Sequence, residues 1–135
     1  MFSTPRPPRL HPVIRRIEEI RKLQKSYFAS RAPDLLVRLR AGEELLRAEL
    51  DGVRVIDPDQ WHAIECARAM LRDQRAWIDA RGHLWGLERD GAPAEAVARA
   101  RDLAGRLQGQ AQASERRTDK AIESLLSPSL PGLGE

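Results

Sequence analysis

The chain has 135 residues and a mass of 15.2 kDa, with 23 basic and 20 acidic side chains and 41% hydrophobic residues. A chain of this length buries roughly two thirds of its unfolded surface on folding, which is enough for one domain with a core. No apolar run approaches the ~18 residues of a membrane span, and no apolar signal segment follows the N-terminus, so we expect neither membrane insertion nor secretion. The single cysteine, Cys66, excludes an internal disulfide and a thiolate-rich zinc site, and it favours a reducing, cytoplasmic location.

Charge is unevenly distributed along the chain. Residues 1–40 carry ten basic and three acidic groups, whereas residues 41–98 carry seven and twelve. The basic part could attract an acidic partner, or it could dock on the acidic middle of its own chain or of a second copy. Twenty of the 23 basic residues are arginine, a skew typical of a GC-rich coding sequence, so arginine abundance alone does not indicate phosphate binding.

A proline-rich basic segment precedes the first helix. Residues 1–11 interleave prolines with Arg6, Arg9 and His11, a pattern that favours extended backbone and predicts a flexible arm. Pro12 suits a first helical turn, and apolar residues then recur in steps of three and four. The sequence therefore predicts a helix over residues 12–30.

The next segment predicts a second helix over residues 33–51, joined to the first by a link so short that the two must pack antiparallel. Its apolar stripe is Leu35, Leu39, Gly42, Leu46 and Leu50, with Leu36 and Leu45 beside it. A glycine on such a stripe indicates close approach of the facing helix, here near Ile20. The alternative is a local break of the helix.

A strong helix start follows, with Asp57 as N-cap and Pro58 at the first position. We expect a third helix over residues 58–81 whose core stripe is Ile64, Ala67, Leu71, Gln74 and Ile78. Gly82 indicates its end. The apolar run His83–Leu87 then predicts a loop over residues 82–93 that covers an edge of the core.

Alanine-rich helical spacing predicts a fourth helix over residues 93–126, and the sequence leaves open whether it continues through Gly105 and Gly109. Residues 127–135 are expected to be disordered. The fold class is all-α: one helical domain over residues 12–126, built as an antiparallel hairpin, a third helix and a long C-terminal helix in a bundle. A narrow apolar seam favours completion of this bundle by oligomerisation.

Residues that could carry chemistry are few. His62 and Cys66 share one helical face and Glu65 lies beside them, but two ligands do not make a metal site, and a partly solvated histidine beside a packed cysteine is the more frequent arrangement. No nucleophile elbow or phosphate-binding loop occurs. We therefore predict no catalytic, metal-binding or cofactor-binding residue, and a protein that is not an enzyme.

Residues 24–51 carry a short motif. Gln24, Tyr27, Phe28, Ser30 and Arg31, followed by Leu50 and Asp51, resemble a Gln-x-x-Tyr-Phe-x-Ser/Thr-Arg hairpin of small helical proteins encoded in bacteriophage and prophage clusters. The resemblance implies a helical hairpin in a phage-like setting and no activity. In such a hairpin, Tyr27 and Phe28 would plug the closed end, while Arg31 would pair with Asp34 or Glu43 or cap the first helix.

Two functions from different classes remain. The leading prediction is a non-enzymatic oligomerisation or adaptor protein, because a narrow helical seam is often completed by association and tryptophan is enriched at interface hot spots. Its candidate interface residues are Trp61, Trp77, Leu84, Trp85 and Leu87. The alternative is a nucleic-acid-binding accessory protein that uses the basic arm and first helix. Its candidate contacts are Arg6, Arg9, Arg15, Arg16, Arg21, Lys22, Lys25 and Arg31.

Overall fold

The computed structural model describes residues 9–55 and 57–126, and 89% of these residues are helical. The helices are α1 (Pro12–Ser30), α2 (Pro33–Gly52), α3 (Pro58–Arg89) and α4 (Ala94–Leu126). No strand occurs among the described residues, and the predicted all-α helical bundle is confirmed. Residues 1–8 of the predicted arm and the predicted tail, residues 127–135, lie outside the described part of the chain.

The chain divides into two compact units, with boundaries after Ile64 in α3 and after Lys120 in α4. The first unit contains α1, α2 and the outer ends of the two long helices. The second unit contains the remainder of α3 and α4. The single domain over residues 12–126 stays a prediction.

Both ends of α1 are capped by residues next to it in the sequence. The backbone N–H of Val13 donates to Nδ1 of His11, 3.0 Å away, so His11 serves as the N-cap. At the other end Arg31 adopts a left-handed conformation, and its backbone N–H donates to the Tyr27 carbonyl at 2.6 Å. This reversal allows α2 to begin two residues later at Pro33.

The closed end of the α1–α2 hairpin differs from the expected plug. Phe28 is exposed and Tyr27 is only partly buried. The Arg31 guanidinium carbon lies 5.6 Å from the Tyr27 ring centroid and 5.0 Å from that of Phe28. The expectation that both rings plug the hairpin is therefore wrong for Phe28, because its ring packs against the exposed Arg31 guanidinium and not inside the core.

Packing between α1 and α2 rests on alternating apolar residues. The buried apolar side chains of this hairpin are Val13, Ile14, Ile17 and Ile20 of α1 and Leu39, Leu46 and Leu50 of α2. Gly42 faces Ile20, which confirms the predicted close approach, and α2 is continuous there. Leu45 is exposed, so its expected place beside the core stripe is wrong.

The predicted end of the third helix at residue 81 is wrong, because α3 continues to Arg89. The true stop lies at Gly91, which has a φ of +69°. The N–H of Ala92 donates to the Leu87 carbonyl at 3.0 Å and that of Gly91 to Glu88 at 3.3 Å, the two bonds of a Schellman motif. The predicted loop over residues 82–93 is therefore mostly helix.

In the second unit, α3 and α4 form an antiparallel hairpin with an alanine-lined seam. Leu84 packs with Ala100 and Ala104, and Ala80, Leu87 and Val97 border this cluster. Small side chains on α4 permit close approach of the two helices. The α4 helix is continuous through Gly105 and Gly109, both of which are exposed, and this decides the question that the sequence left open.

Polar side chains join the same two helices farther from the turn. The Gln74 side-chain amide donates to Glu115 Oε2 at 2.7 Å, and the Ser114 hydroxyl donates to Asp73. Gln74 and Ser114 are both buried, so these bonds satisfy groups that water does not reach. They fix the register of α4 against α3.

Candidate protein-interaction surface

Three side chains one helical turn apart form a stack along α3. The Arg81 guanidinium carbon lies 4.7 Å from the Trp77 ring centroid and 4.8 Å from the Trp85 ring centroid. Residues four positions apart lie above one another on a helix, so the spacing of 77, 81 and 85 places the cation between two indoles. We call Trp77, Arg81 and Trp85 the tryptophan ladder.

The ladder is open to solvent at its outer end. Trp85 is 59% exposed, and Ile78, which lies beside the ladder on α3, is 48% exposed. Trp77 and Arg81 are partly buried. The Trp85 and Ile78 side chains are thus in contact with water, although their burial would be favourable.

The surrounding charges of α3 are balanced. Arg75 Nε lies 3.3 Å from Asp79 Oδ1 on α3, and Glu88 Oε1 lies 3.7 Å from Arg101 Nη2 of α4. Exposed ion pairs of this kind stabilise by at most about 1 kcal/mol. The exposed surface near the ladder therefore carries charges of both signs as well as apolar side chains.

The five predicted interface residues occupy different environments. Trp77 and Trp85 belong to the ladder, Leu87 is partly buried and Leu84 is buried in the hairpin core. Trp61 is partly buried and belongs to the first unit. The structure thus brings only two of the five into one exposed surface. Sequence reasoning missed Arg81, and it placed Ile78 in the core, which is wrong.

A shallow groove occupies another side of the second unit. It has a volume of about 300 Å³ and is lined by His83, Leu87, Ala96, Arg99, Ala100 and Leu103. Leu103 and Leu87 supply its apolar surface, and Arg99 its charge. The groove is open rather than enclosed, and no cluster of acidic or metal-binding side chains lies in it.

Four of the candidate nucleic-acid contacts have partners within the first unit. Arg16 Nε lies 2.7 Å from Glu49 Oε1, Lys22 Nζ lies 3.8 Å from Glu18 Oε1, and Arg31 lies over two rings. Arg21 is buried and donates to Gln24 Oε1 at 2.6 Å, and the Gln24 amide donates to Glu43 at 2.8 Å. Of these, Arg16 binds α2 directly and Arg21 reaches it through Gln24, whereas Lys22 and Arg31 have partners on α1 itself.

The other candidates of this group are exposed or lie outside the described residues. Arg9, Arg15 and Lys25 are exposed, and Arg6 lies outside the described residues. Binding of nucleic acid stays a prediction.

The last residues of the predicted flexible arm are anchored. The Gln60 side chain is 2% exposed; its Oε1 accepts from the His11 backbone N–H at 2.9 Å, and its Nε2 donates to the Arg9 carbonyl at 3.2 Å. Residues 9–11 are thus hydrogen-bonded to the first turn of α3, and the flexibility of the arm stays a prediction. Asp57 Oδ1 accepts from the N–H groups of Asp59 and Gln60, which confirms it as the N-cap of α3.

The cysteine has the environment of a packed residue. Cys66 is buried, and burial raises the pKa of its thiol, with the nearby Arg117 acting in the opposite direction. A raised pKa keeps the thiol protonated at neutral pH, which disfavours nucleophilic chemistry. Within residues 9–55 and 57–126, no three His, Cys, Asp or Glu side chains are grouped so that they could hold a metal ion.

Comparison of the chain with protein-family models, with curated proteins and with solved structures finds no match. The resemblance of residues 24–51 to hairpins encoded by phages stays a prediction. None of the described helices is long and apolar enough to cross a membrane.

Proposed function

We propose that this protein is a non-enzymatic oligomerisation or adaptor protein whose tryptophan ladder contacts protein. The observation that carries the proposal is the exposed Trp85 indole held against Arg81, with the exposed Ile78 beside it. Tryptophan and arginine are the residue types that most often dominate binding energy at protein interfaces. The phage or prophage origin belongs to the proposal only through the resemblance of residues 24–51.

The ladder supports binding because its geometry is set before a partner arrives. The guanidinium between the two rings restricts rotation of both indoles, so less conformational entropy is lost on association. Cation–π contacts at exposed positions contribute about 0.5–1 kcal/mol, and more when water is excluded. Association therefore strengthens the contacts that organise the surface.

The first experiment is light scattering of the purified full chain at several concentrations, at low and high salt, with absorbance at 260 and 280 nm. We expect a discrete oligomer that persists at high salt, because burial of apolar surface is not screened by ions. A monomer at every concentration would contradict the oligomerisation function. Absorbance at 260 nm that is lost at high salt would instead support the nucleic-acid alternative.

The second experiment compares variants of α3. Trp85→Ala should raise the dissociation constant of the oligomer at least about tenfold. Arg81→Gln should raise the same constant by a smaller factor. His83→Ala is the matched control, because His83 is exposed on the same helix and outside the ladder. If Trp85→Ala and the wild type have the same dissociation constant, the ladder is not part of the interface.

A further inference from the structure

The α2 helix is apolar on two opposite faces. Its inner face consists of Leu39, Leu46 and Leu50, all buried. Its outer face carries Val37, which is 70% exposed, and Leu45, which is 57% exposed, together with the exposed Ala41 and Ala48. We call Val37, Ala41, Leu45 and Ala48 the outer stripe.

The four residues form one continuous strip of surface. At 3.6 residues per turn they lie within about 40° of Ala41 around the helix axis and extend along roughly 17 Å of its length. A helix that is apolar on both faces is normally covered on both. Burial of a valine and a leucine side chain stabilises by about 1.5–3 kcal/mol each, so a partner that covers this stripe would gain from both.

The outer stripe is complementary to itself. A two-fold axis at Ala41 that relates two antiparallel α2 helices sets Val37 of one copy beside Leu45 of the other. The small Ala41 then faces its own copy at the centre, where it permits close approach of the two helices. Pairing of this kind is isologous, the commonest symmetry of protein dimers.

Charge agrees with the same arrangement. Arg40 and Glu44 are both exposed and border the stripe on the same side. The two-fold axis places Arg40 of one copy at nearly the same height as Glu44 of the other, and the reverse pair forms by symmetry. Two pairs of opposite charge therefore flank the apolar contact, and the two copies of Arg40 are kept apart because Arg40 lies farther round the helix from the contact than Glu44 does. Pairing with a uniformly charged partner would leave one of these residues opposite a like charge.

We infer that the outer stripe binds the outer stripe of a second copy, with the two α2 helices antiparallel about a two-fold axis at Ala41. The inference rests on the self-association in the proposed function, but it assigns that association to a surface of the first unit, whereas the tryptophan ladder belongs to the second. Four side chains on one helix bury less area than a standard protein interface, so the dimer is weak and its formation depends on concentration.

Analytical ultracentrifugation of the full chain tests the apolar contact. The double variant Val37→Gln and Leu45→Gln should raise the dissociation constant of the dimer at least about tenfold. Glutamine is a good helix former, so α2 should remain helical. Leu103→Gln is the matched control, because Leu103 is an exposed leucine in the other unit. An unchanged dissociation constant in the α2 variant overturns the inference.

The charge pairs are tested by exchange. Arg40→Glu gives a chain with two acidic groups on this flank, and Glu44→Arg gives a chain with two basic groups. Each variant alone should dimerise more weakly than the wild type, and an equimolar mixture of the two should recover the dimer. If the mixture dimerises no more tightly than either variant alone, the pairing of Arg40 with Glu44 is overturned.

Disulfide formation tests the orientation of the helices in a Cys66→Ala background. Ala41→Cys should form a dimer under mild oxidation, because two copies of this position meet at the axis. Ala48→Cys should not, because the two-fold axis separates its copies by roughly 21 Å. Efficient cross-linking of both variants would indicate a parallel pair and overturn the antiparallel arrangement.

The same measurements separate this inference from the proposed function. If Trp85→Ala weakens the oligomer and the α2 variants do not, the inference fails and the ladder keeps its role. If the α2 variants weaken it and Trp85→Ala does not, the ladder loses its role and the inference stands. If each variant weakens the oligomer and only the combined variant is a monomer, both surfaces take part in association.

Discussion

Gly42 of α2 lies so close to Ile20 of α1 that a Cβ added to the glycine would stand 2.5 Å from Ile20 Cδ1. Ile20 is buried, so its side chain has little room to move away. The glycine therefore sets the distance between the two helices. At Gly109 of α4, in contrast, an added Cβ would meet nothing within 4 Å.

The two glycines should respond in opposite ways to alanine. Gly109→Ala should raise the free energy of unfolding by about 0.5–1 kcal/mol through helix propensity alone. Gly42→Ala should lower it, because overpacking costs about 1–3 kcal/mol. Chemical denaturation of the two variants measures both effects.

Ile20→Val provides the control for this contact. It removes Cδ1, which should cost about 0.5–1.5 kcal/mol in the wild type but less in the Gly42→Ala background. A Gly42→Ala variant as stable as Gly109→Ala, with no coupling to Ile20, would show that the hairpin tolerates a wider spacing.

A second pair of glycines tests where α3 ends. Gly91 has a φ of +69°, so Gly91→Ala should lower the free energy of unfolding by about 1–2 kcal/mol. Gly82 lies inside α3 with open space around it, so Gly82→Ala should raise stability by up to about 1 kcal/mol. A destabilised Gly82→Ala beside a neutral Gly91→Ala would place the end of the helix at residue 82 after all.

The Gln60 side chain should stabilise the backbone of residues 9–11, which precede α1. Gln60→Ala removes the acceptor of the His11 N–H and the donor to the Arg9 carbonyl, which should cost about 1–3 kcal/mol because these groups are partly buried. In hydrogen exchange, we expect the His11 amide to lose protection while the amides in the middle of α1 keep theirs.

Gln60→Glu is the control for this prediction, because it retains an oxygen that can accept from the His11 N–H but loses the donor to Arg9. It should therefore keep part of the His11 protection. Equal protection of His11 in Gln60→Ala and the wild type would show that the side chain does not anchor the segment.

The reactivity of Cys66 should depend on pH in a defined direction. Burial raises the pKa of its thiol. The thiolate, which is the form that reacts with a disulfide reagent, therefore forms at higher pH than in an ordinary cysteine. We expect slow modification of the native protein at pH 7, an increase at higher pH, and fast modification in denaturant.

Arg117 offers a control for the cysteine, because its charge lowers the pKa of Cys66 against the effect of burial. Arg117→Gln should slow the reaction further at a given pH. Rapid modification of the native wild type at pH 7 would instead identify an exposed, activated thiol.

Local signals in the sequence were sufficient for much of the fold. Pro12, Pro33 and the Asp57 cap start helices where backbone donors would otherwise lack acceptors, and these starts depend only on neighbouring residues. The glycine opposite Ile20 was also predictable, because a residue without a side chain on an apolar stripe leaves a gap that a closely packed facing helix fills. The all-α class follows from the same periodicity.

The extent of α3 was not decided by such signals. Gly82 and Gly91 both resemble helix stops, and only the hairpin with α4, which buries Leu84 against Ala100, makes continuation past Gly82 favourable. Once the helix continues, the spacing of Trp77, Arg81 and Trp85 produces the ladder. The sequence contained this spacing, but its meaning depended on a helix boundary that local preference left undetermined.

Apolar residues alone also did not determine which face of each helix is covered. Leu45 and Ile78 have the same chemistry as their buried neighbours, yet both are exposed. A helix with apolar residues on more than one face can be covered on either, and the choice is made by the helices available to pack against it. The sequence therefore determined the helices, their caps and the close contact at Gly42, whereas only the tertiary structure decided which apolar side chains remain available to bind another molecule.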